Sequence, residues 1–142
     1  MDNKIKLNIK KEIPVPPVAK LIGFFPVEVK SGESVFKLET KEEHFNPMGT
    51  VHGGILCDLA DAAMGVAYAT LLDENETFTT IELKINYLKP VWKATLKAHA
   101  IVIKKGRSIG LIDCTIFDEN ESLVAKASST CMTLQGNNAK NR

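Results

Sequence analysis

A chain of 142 residues with 44% hydrophobic and 25% charged residues has the size and balance of one globular domain, with a core it can bury unaided. A net charge of +1 gives no overall field that would draw nucleic acid. Three scattered cysteines, Cys57, Cys114 and Cys131, form no C-x-x-C pair, which points away from a zinc site and from a disulfide framework and towards a reducing, cytoplasmic setting.

Residues 1–13 read as a polar leader without the apolar core of a signal peptide. No uncharged apolar run is long enough for a membrane span, so no membrane insertion is expected. The folded domain is expected over 14–135, with a flexible polar tail at 136–142. After the prolines at 14–17, Val18 to Phe25 suits a short helix with Pro17 in its first turn and Gly23 near its end. Val27–Lys30 and Ser34–Glu39 alternate apolar and polar residues and read as two strands around a turn at Ser31-Gly32-Glu33. His44 to Val51 reads as a loop, marked by Asn46-Pro47 and Gly49.

From Gly53 to Leu72 the spacing predicts a helix, with Ile55, Leu56, Leu59, Ala60, Ala63, Met64, Ala67, Tyr68 and Leu71 at three- and four-residue steps. Its alanines make it thin enough to lie close on a sheet and to be covered over much of its circumference. The rest reads as strands: Thr80–Leu88, with Ile81, Leu83, Ile85 and Tyr87 on one face, then Thr95–Lys104, Ile109–Phe117 and Ser122–Leu134. Short turns between them predict an α+β domain in which an antiparallel meander packs on the long helix.

Three features suit chemistry. The run Asn46-Pro47-Met48-Gly49-Thr50-Val51-His52-Gly53-Gly54 leads into the helix. Backbone N–H groups at such a start lack helical partners and carry the positive end of the dipole, so they suit a developing oxyanion; the same glycines also serve simply to turn the loop. Asp58 and Asp61 are the charged side chains of the helix, and Asp61 sits among alanines, where a carboxylate is desolvated or paired as a general base often is. Spacing alone does not choose between the two. The loop Lys104-Lys105-Gly106-Arg107-Ser108 is basic and could hold phosphates, with Lys89-Pro90 as a second basic point nearby; equally, it is a solvated turn.

Gly53 and Asp61 lie eight residues apart, about 12 Å along a helix. An oxyanion donor and its base must both lie about 3 Å from the reacting atoms. If both act on one carbonyl, they come from two helices, and antiparallel helices across a two-fold axis would form that site twice.

At these residues the sequence resembles the hot-dog-fold acyl-CoA thioesterases, in the phenylacetate-pathway-like (PaaI-type) branch, over roughly Phe36 to Leu134. The motif is Asn46-x2-Gly49-x2-His52-Gly53-Gly54 with Asp61 eight residues beyond Gly53, supported by Asn86-Tyr87-Leu88-Lys89-Pro90 and Gly106-Arg107-Ser108. The resemblance implies a long helix wrapped by a curved antiparallel sheet, assembled as a homodimer and commonly a homotetramer. It implies hydrolysis of acyl-CoA at the subunit interface, and it selects Asp61 over Asp58. Gly53 N–H would polarise the carbonyl, and Asp61 of the partner chain would attack it or activate water. Asn46 would place the carboxylate or water, His52 would orient the loop or contact the thioester, and Thr80 would hold the water. Gly54, Lys89, Pro90, Gly106, Arg107 and Ser108 would meet the substrate. No metal or redox cofactor is expected, with coenzyme A present only as part of substrate and product. On the residues alone, His52 and Asn46 equally serve the loop, Thr80 the strand and Cys57 the core. His44 and His99 carry no assigned role. The competing readings are a non-catalytic acyl-CoA-binding module and a hot-dog enoyl-CoA hydratase or dehydratase.

Overall fold

Pro17 opens the first helix and Gly23, at φ 98°, closes it, its N–H capping Ala19 O, so the short helix α1 (Pro17–Ile22) stops before Phe25 as a left-handed glycine dictates. The computed structural model describes residues 15–140, and the leader expected over residues 1–13 lies outside the described residues. After α1 come β1 (Phe25–Lys30), β2 (Glu33–Glu39), α2 (Gly53–Ala69), β3 (Glu76–Tyr87), β4 (Thr95–Lys105), β5 (Ile109–Phe117) and β6 (Leu123–Gln135). Short 3₁₀ turns lie at Glu42–His44 and Gly136–Ala139. One long helix packed on a six-stranded antiparallel sheet is the hot-dog arrangement.

The strand order is β1-β2-β4-β5-β6-β3, which corrects the simple meander. β4, β5 and β6 do follow one another through short turns. β3, however, pairs with β6 rather than β4, and β2 pairs with β4. The cause lies in the connection from Leu88 to Ala94, which contains Pro90 and is too long for a tight hairpin. It runs along the end of the sheet, held by Leu88 N–H and Lys89 N–H on Val124 O and by Val51 N–H on Val91 O. The ammonium of Lys89 pairs with Asp118 in the turn between β5 and β6, so that connection and turn are tied together.

Both edges of the sheet are therefore known. β1 is six residues long, carries Pro26 and has a register shift between Pro26 and Glu28. β3 is twelve residues long and proline-free. A bulge between Thr80 and Glu82 throws Ile81 out of the alternation, so Ile81 is 52% exposed while Leu83 and Ile85 pack against the core. The expected single face of Ile81, Leu83, Ile85 and Tyr87 is broken at that point.

Helix α2 buries Leu56, Leu59, Ala60, Ala63, Met64, Ala67 and Tyr68. It lies mainly over β2 and β4 and only lightly over β3 and β6. Its small residues allow close approach: Ser34 Oγ donates to Ala63 O at 2.7 Å. Tyr68 is fully buried, its hydroxyl bonded to Thr133 Oγ1 at 2.7 Å and its ring edge-on to Phe78. The helix ends at Ala69 rather than Leu72, because the Thr70 hydroxyl donates to Ala67 O and accepts Gly32 N–H from the first hairpin. Among the described residues no helix is long and apolar enough to cross a membrane.

Candidate active site on the long helix

The loop before α2 is built by its own polar groups. Asn46 Oδ1 accepts the N–H groups of Met48 and Thr50, at 3.0 and 3.2 Å, and its amide donates to Thr50 Oγ1 at 2.9 Å. These bonds close a turn around Gly49 and leave Asn46 one amide hydrogen for any further partner. His44, which carries no assigned role in the sequence reading, is buried beneath this loop. Its Nε2 donates to Ile22 O at 2.8 Å, its Nδ1 accepts Lys41 N–H, and its carbonyl accepts His52 N–H at 2.8 Å. His44 thus fixes the point from which α2 departs.

His52 is the N-cap of α2. Its Nδ1 accepts Gly54 N–H at 2.9 Å, which places the ring proton on Nε2. Gly54 N–H is thereby used within the loop, and no protein acceptor takes Gly53 N–H among the described residues. The free donor at the positive end of the helix is therefore that of Gly53, while Gly54 acts through its lack of a side chain. A methyl group on Gly54 would come within 2.9 Å of His52 Nδ1. One on Gly53 would come within 2.7 Å of Tyr87 Cζ. Tyr87, at the end of β3, thus covers the helix start, and its hydroxyl lies 3.2 Å from Cys57 Sγ. Burial, then the Cys57 thiol, pushes the Tyr87 phenol up to about 12. The run Asn86-Tyr87-Leu88-Lys89-Pro90 stands out in the sequence, but this contact of Tyr87 with the helix start does not.

Asp61 projects from the flank of α2 that faces β3, and in the single chain its side chain is exposed. Asp58, one turn earlier, is exposed on the same flank. The surrounding protein nonetheless desolvates Asp61 and raises its carboxyl above the ordinary value of 3.8. The Thr80 hydroxyl opposes that rise and the Asp58 charge adds to it. Thr80 Oγ1 donates to Asp61 Oδ1 at 3.4 Å and lies 3.7 Å from Cys131 Sγ on β6. Asp58 is raised by desolvation alone and makes no hydrogen bond of its own among the described residues. The geometry therefore brings Asp61 and Thr80 together and leaves Asp58 outside.

The remaining candidates divide between the two ends of the sheet. Lys89 and Pro90 lie beyond the end of β3, the end where Tyr87 meets Gly53, and Lys89 is paired with Asp118. Gly106, Arg107 and Ser108 join β4 to β5 at the opposite end, with Gly106 N–H on Ile109 O and Arg107 exposed. The eleven residues of β4 separate the two groups by about 35 Å. Within one chain they do not meet. Nor do Gly53 and Asp61, which stand at opposite ends of two turns of one helix. Among the described residues no three His, Cys, Asp or Glu side chains converge as metal ligands.

A family model described as the thioesterase superfamily matches residues 48–125, which span the end of the loop, α2, the three strands β3 to β5 and the start of β6. The 1,4-dihydroxy-2-naphthoyl-CoA hydrolase of Listeria monocytogenes is 31% identical over 103 residues, covering 72% of this chain and 84% of that protein. Among solved structures, a thioesterase family protein from Silicibacter pomeroyi superposes with a TM-score of 0.80 at 25% identity, over 85% of this chain and 91% of that one. The PaaI protein of the E. coli phenylacetic acid degradation operon has the same fold, with a TM-score of 0.79 at 24% identity over 85% and 86% of the two chains. With its helix start at Gly53, Asp61 beside Thr80 and the hot-dog sheet around them, the chain belongs to the thioesterase superfamily.

Proposed function

We propose that the protein hydrolyses acyl-CoA thioesters to free acid and coenzyme A, at a site shared by two chains. The observation that carries this reading is the position of Asp61: an exposed but desolvated carboxylate, held by Thr80 and two helical turns from the free Gly53 N–H. A second chain supplies what one lacks. If β3 of one protomer pairs with β3 of another, their α2 helices run antiparallel, and Gly53 of each approaches Asp61 of the other. The long, proline-free β3 edge supports this pairing, and the short β1 edge with Pro26 does not.

In that site Gly53 N–H polarises the thioester carbonyl and stabilises the tetrahedral oxyanion. Asp61, made more basic by desolvation, takes a proton from the attacking water, and Thr80 orients the carboxylate and the water. Collapse of the intermediate expels the thiolate of coenzyme A. A thioester is reactive enough for one base and one oxyanion donor to suffice. The same pairing carries Arg107 and Ser108 of the Asp61 protomer towards the Gly53 end of its partner, where they suit the phosphates of coenzyme A. The name of the Listeria relative favours an aromatic acyl group.

The test is thiol release, followed with a thiol-reactive dye, across aryl and fatty acyl-CoAs. Wild type is expected to release thiol, and Asp61→Asn to lose turnover by about 10²–10⁴-fold. Loss in Asp58→Asn with Asp61→Asn active would name the other carboxylate. Acyl-CoA binding without release by wild type would favour a sensing module instead.

A further inference from the structure

Thr80 has one hydroxyl proton and two polar neighbours, and the geometry assigns the second neighbour a part in the site. We infer that Cys131 is a positioning residue for the Asp61 carboxylate, acting through Thr80 by fixing which way the Thr80 hydroxyl points; this rests on the reading of Asp61 given above.

Thr80 and Cys131 are directly opposed across the β3–β6 ladder and both face α2, with Thr80 Oγ1 3.7 Å from Cys131 Sγ and 3.4 Å from Asp61 Oδ1. An ionised carboxylate only accepts hydrogen bonds. When Asp61 is charged, the Thr80 proton must point at it, and the Thr80 oxygen is then an acceptor that needs a donor. The Cys131 S–H is that donor. Cys131 is fully buried and burial raises its thiol, so the proton stays on sulfur. Cys131 and Thr80 then form a relay in which both donors point toward Asp61, and aligned donors polarise one another. The arrangement partly offsets the desolvation of Asp61. It also holds the hydroxyl away from the reverse orientation, in which Thr80 would turn its proton to sulfur and present a lone pair to the carboxylate. Asp58, from the same helix, is the charged group acting on Asp61; Thr80 on β3 and Cys131 on β6 face it uncharged.

The test is ¹³C NMR of the assembled protein labelled at aspartate carboxyl carbons, with the Asp61 signal identified by its loss in Asp61→Asn. Cys131→Val, close in volume but without a donor, is expected to raise the Asp61 titration midpoint by roughly half a unit or more. The acid limb of the kcat profile is expected to move with it, and KM to stay put. Cys131→Ser, which restores a donor, is expected to bring both back toward wild type. In a Thr80→Val background, the Cys131→Val change is expected to have no further effect. An unmoved midpoint in Cys131→Val, or an equal shift in the Thr80→Val background, would overturn the inference. A purely structural cysteine would lower kcat at every pH and leave the midpoint alone. Should Cys131→Val fail to fold, Cys131→Ala is read by the same midpoint. If Asp61→Asn kept full turnover, the proposed role of Asp61 as base would fall, while the midpoint would still report whether Cys131 reaches Asp61.

Discussion

His52 at the start of α2 and Asp61 two turns further along it have effects that can be separated by substitution. His52 caps α2 through Nδ1, so His52→Ala is expected to cost about 0.5–2 kcal/mol in urea unfolding. His52→Asn, which keeps a side-chain acceptor, is expected to recover most of that loss. Asp61 has the opposite relation to stability. Its folded-state pKa lies above the value of 3.8 it has when unfolded, so the native state holds its proton more tightly. Stability is therefore favoured below 3.8 and declines as pH rises through the folded pKa. At pH 7 Asp61→Asn removes that burden, and its thermal midpoint is expected to exceed that of wild type, the gain vanishing as pH falls toward 3.8. The variant that loses turnover is thus expected to be the more stable protein, a combination that a folding defect would not give.

The elements show which parts of the fold could be read in advance. The three- and four-residue steps from Ile55 to Tyr68 mark α2 because a helix must lay one stripe on the sheet, and that stripe is the buried face observed. The strands after it follow from alternation, but their order does not, since alternation reports which face is covered and is silent on neighbours. The departure at Ile81 has the same origin: a bulge shifts the phase by one residue without any composition signal. For the site, the motif around Gly53 was legible, and so was the three-residue spacing that puts Asp58 and Asp61 on one flank. The alanines around Asp61 pointed to a desolvated carboxylate, and desolvation does raise it, although Ala60 and Ala63 are buried while its own side chain stays exposed. Cys131 was illegible as a site residue because it reaches the helix only through strand pairing far along the chain, and the contact of Tyr87 with the helix start was hidden for the same reason. Packing between elements also sets one test. A methyl on Gly110 of β5 would lie 2.2 Å from Tyr68 Cε2, in the fully buried core. Gly110→Ala is expected to cost about 1–3 kcal/mol, read from the urea midpoint, with Tyr68 forced from its bond to Thr133.

For the whole molecule, the question is which chain supplies which half of a site. Asp61→Asn alone and Gly53→Ala alone are both expected to be inactive, the second because its methyl meets the Tyr87 ring at 2.7 Å. Unfolded together and refolded as mixed dimers, they answer the question. A site drawn from two chains leaves each mixed dimer with one intact site and one doubly damaged, so random mixing is expected to restore roughly a quarter of wild-type activity. A site within one chain would restore none. The two sheet edges also set how far association can run. A protomer with one receptive margin, β3, and one blunted by Pro26 and a register shift has a valence of one for strand addition. Joining two such protomers uses up both receptive margins and turns both blunt ones outward. The extended sheet then terminates at twelve strands instead of propagating as a fibril, so any larger assembly must stack finished pairs through their faces.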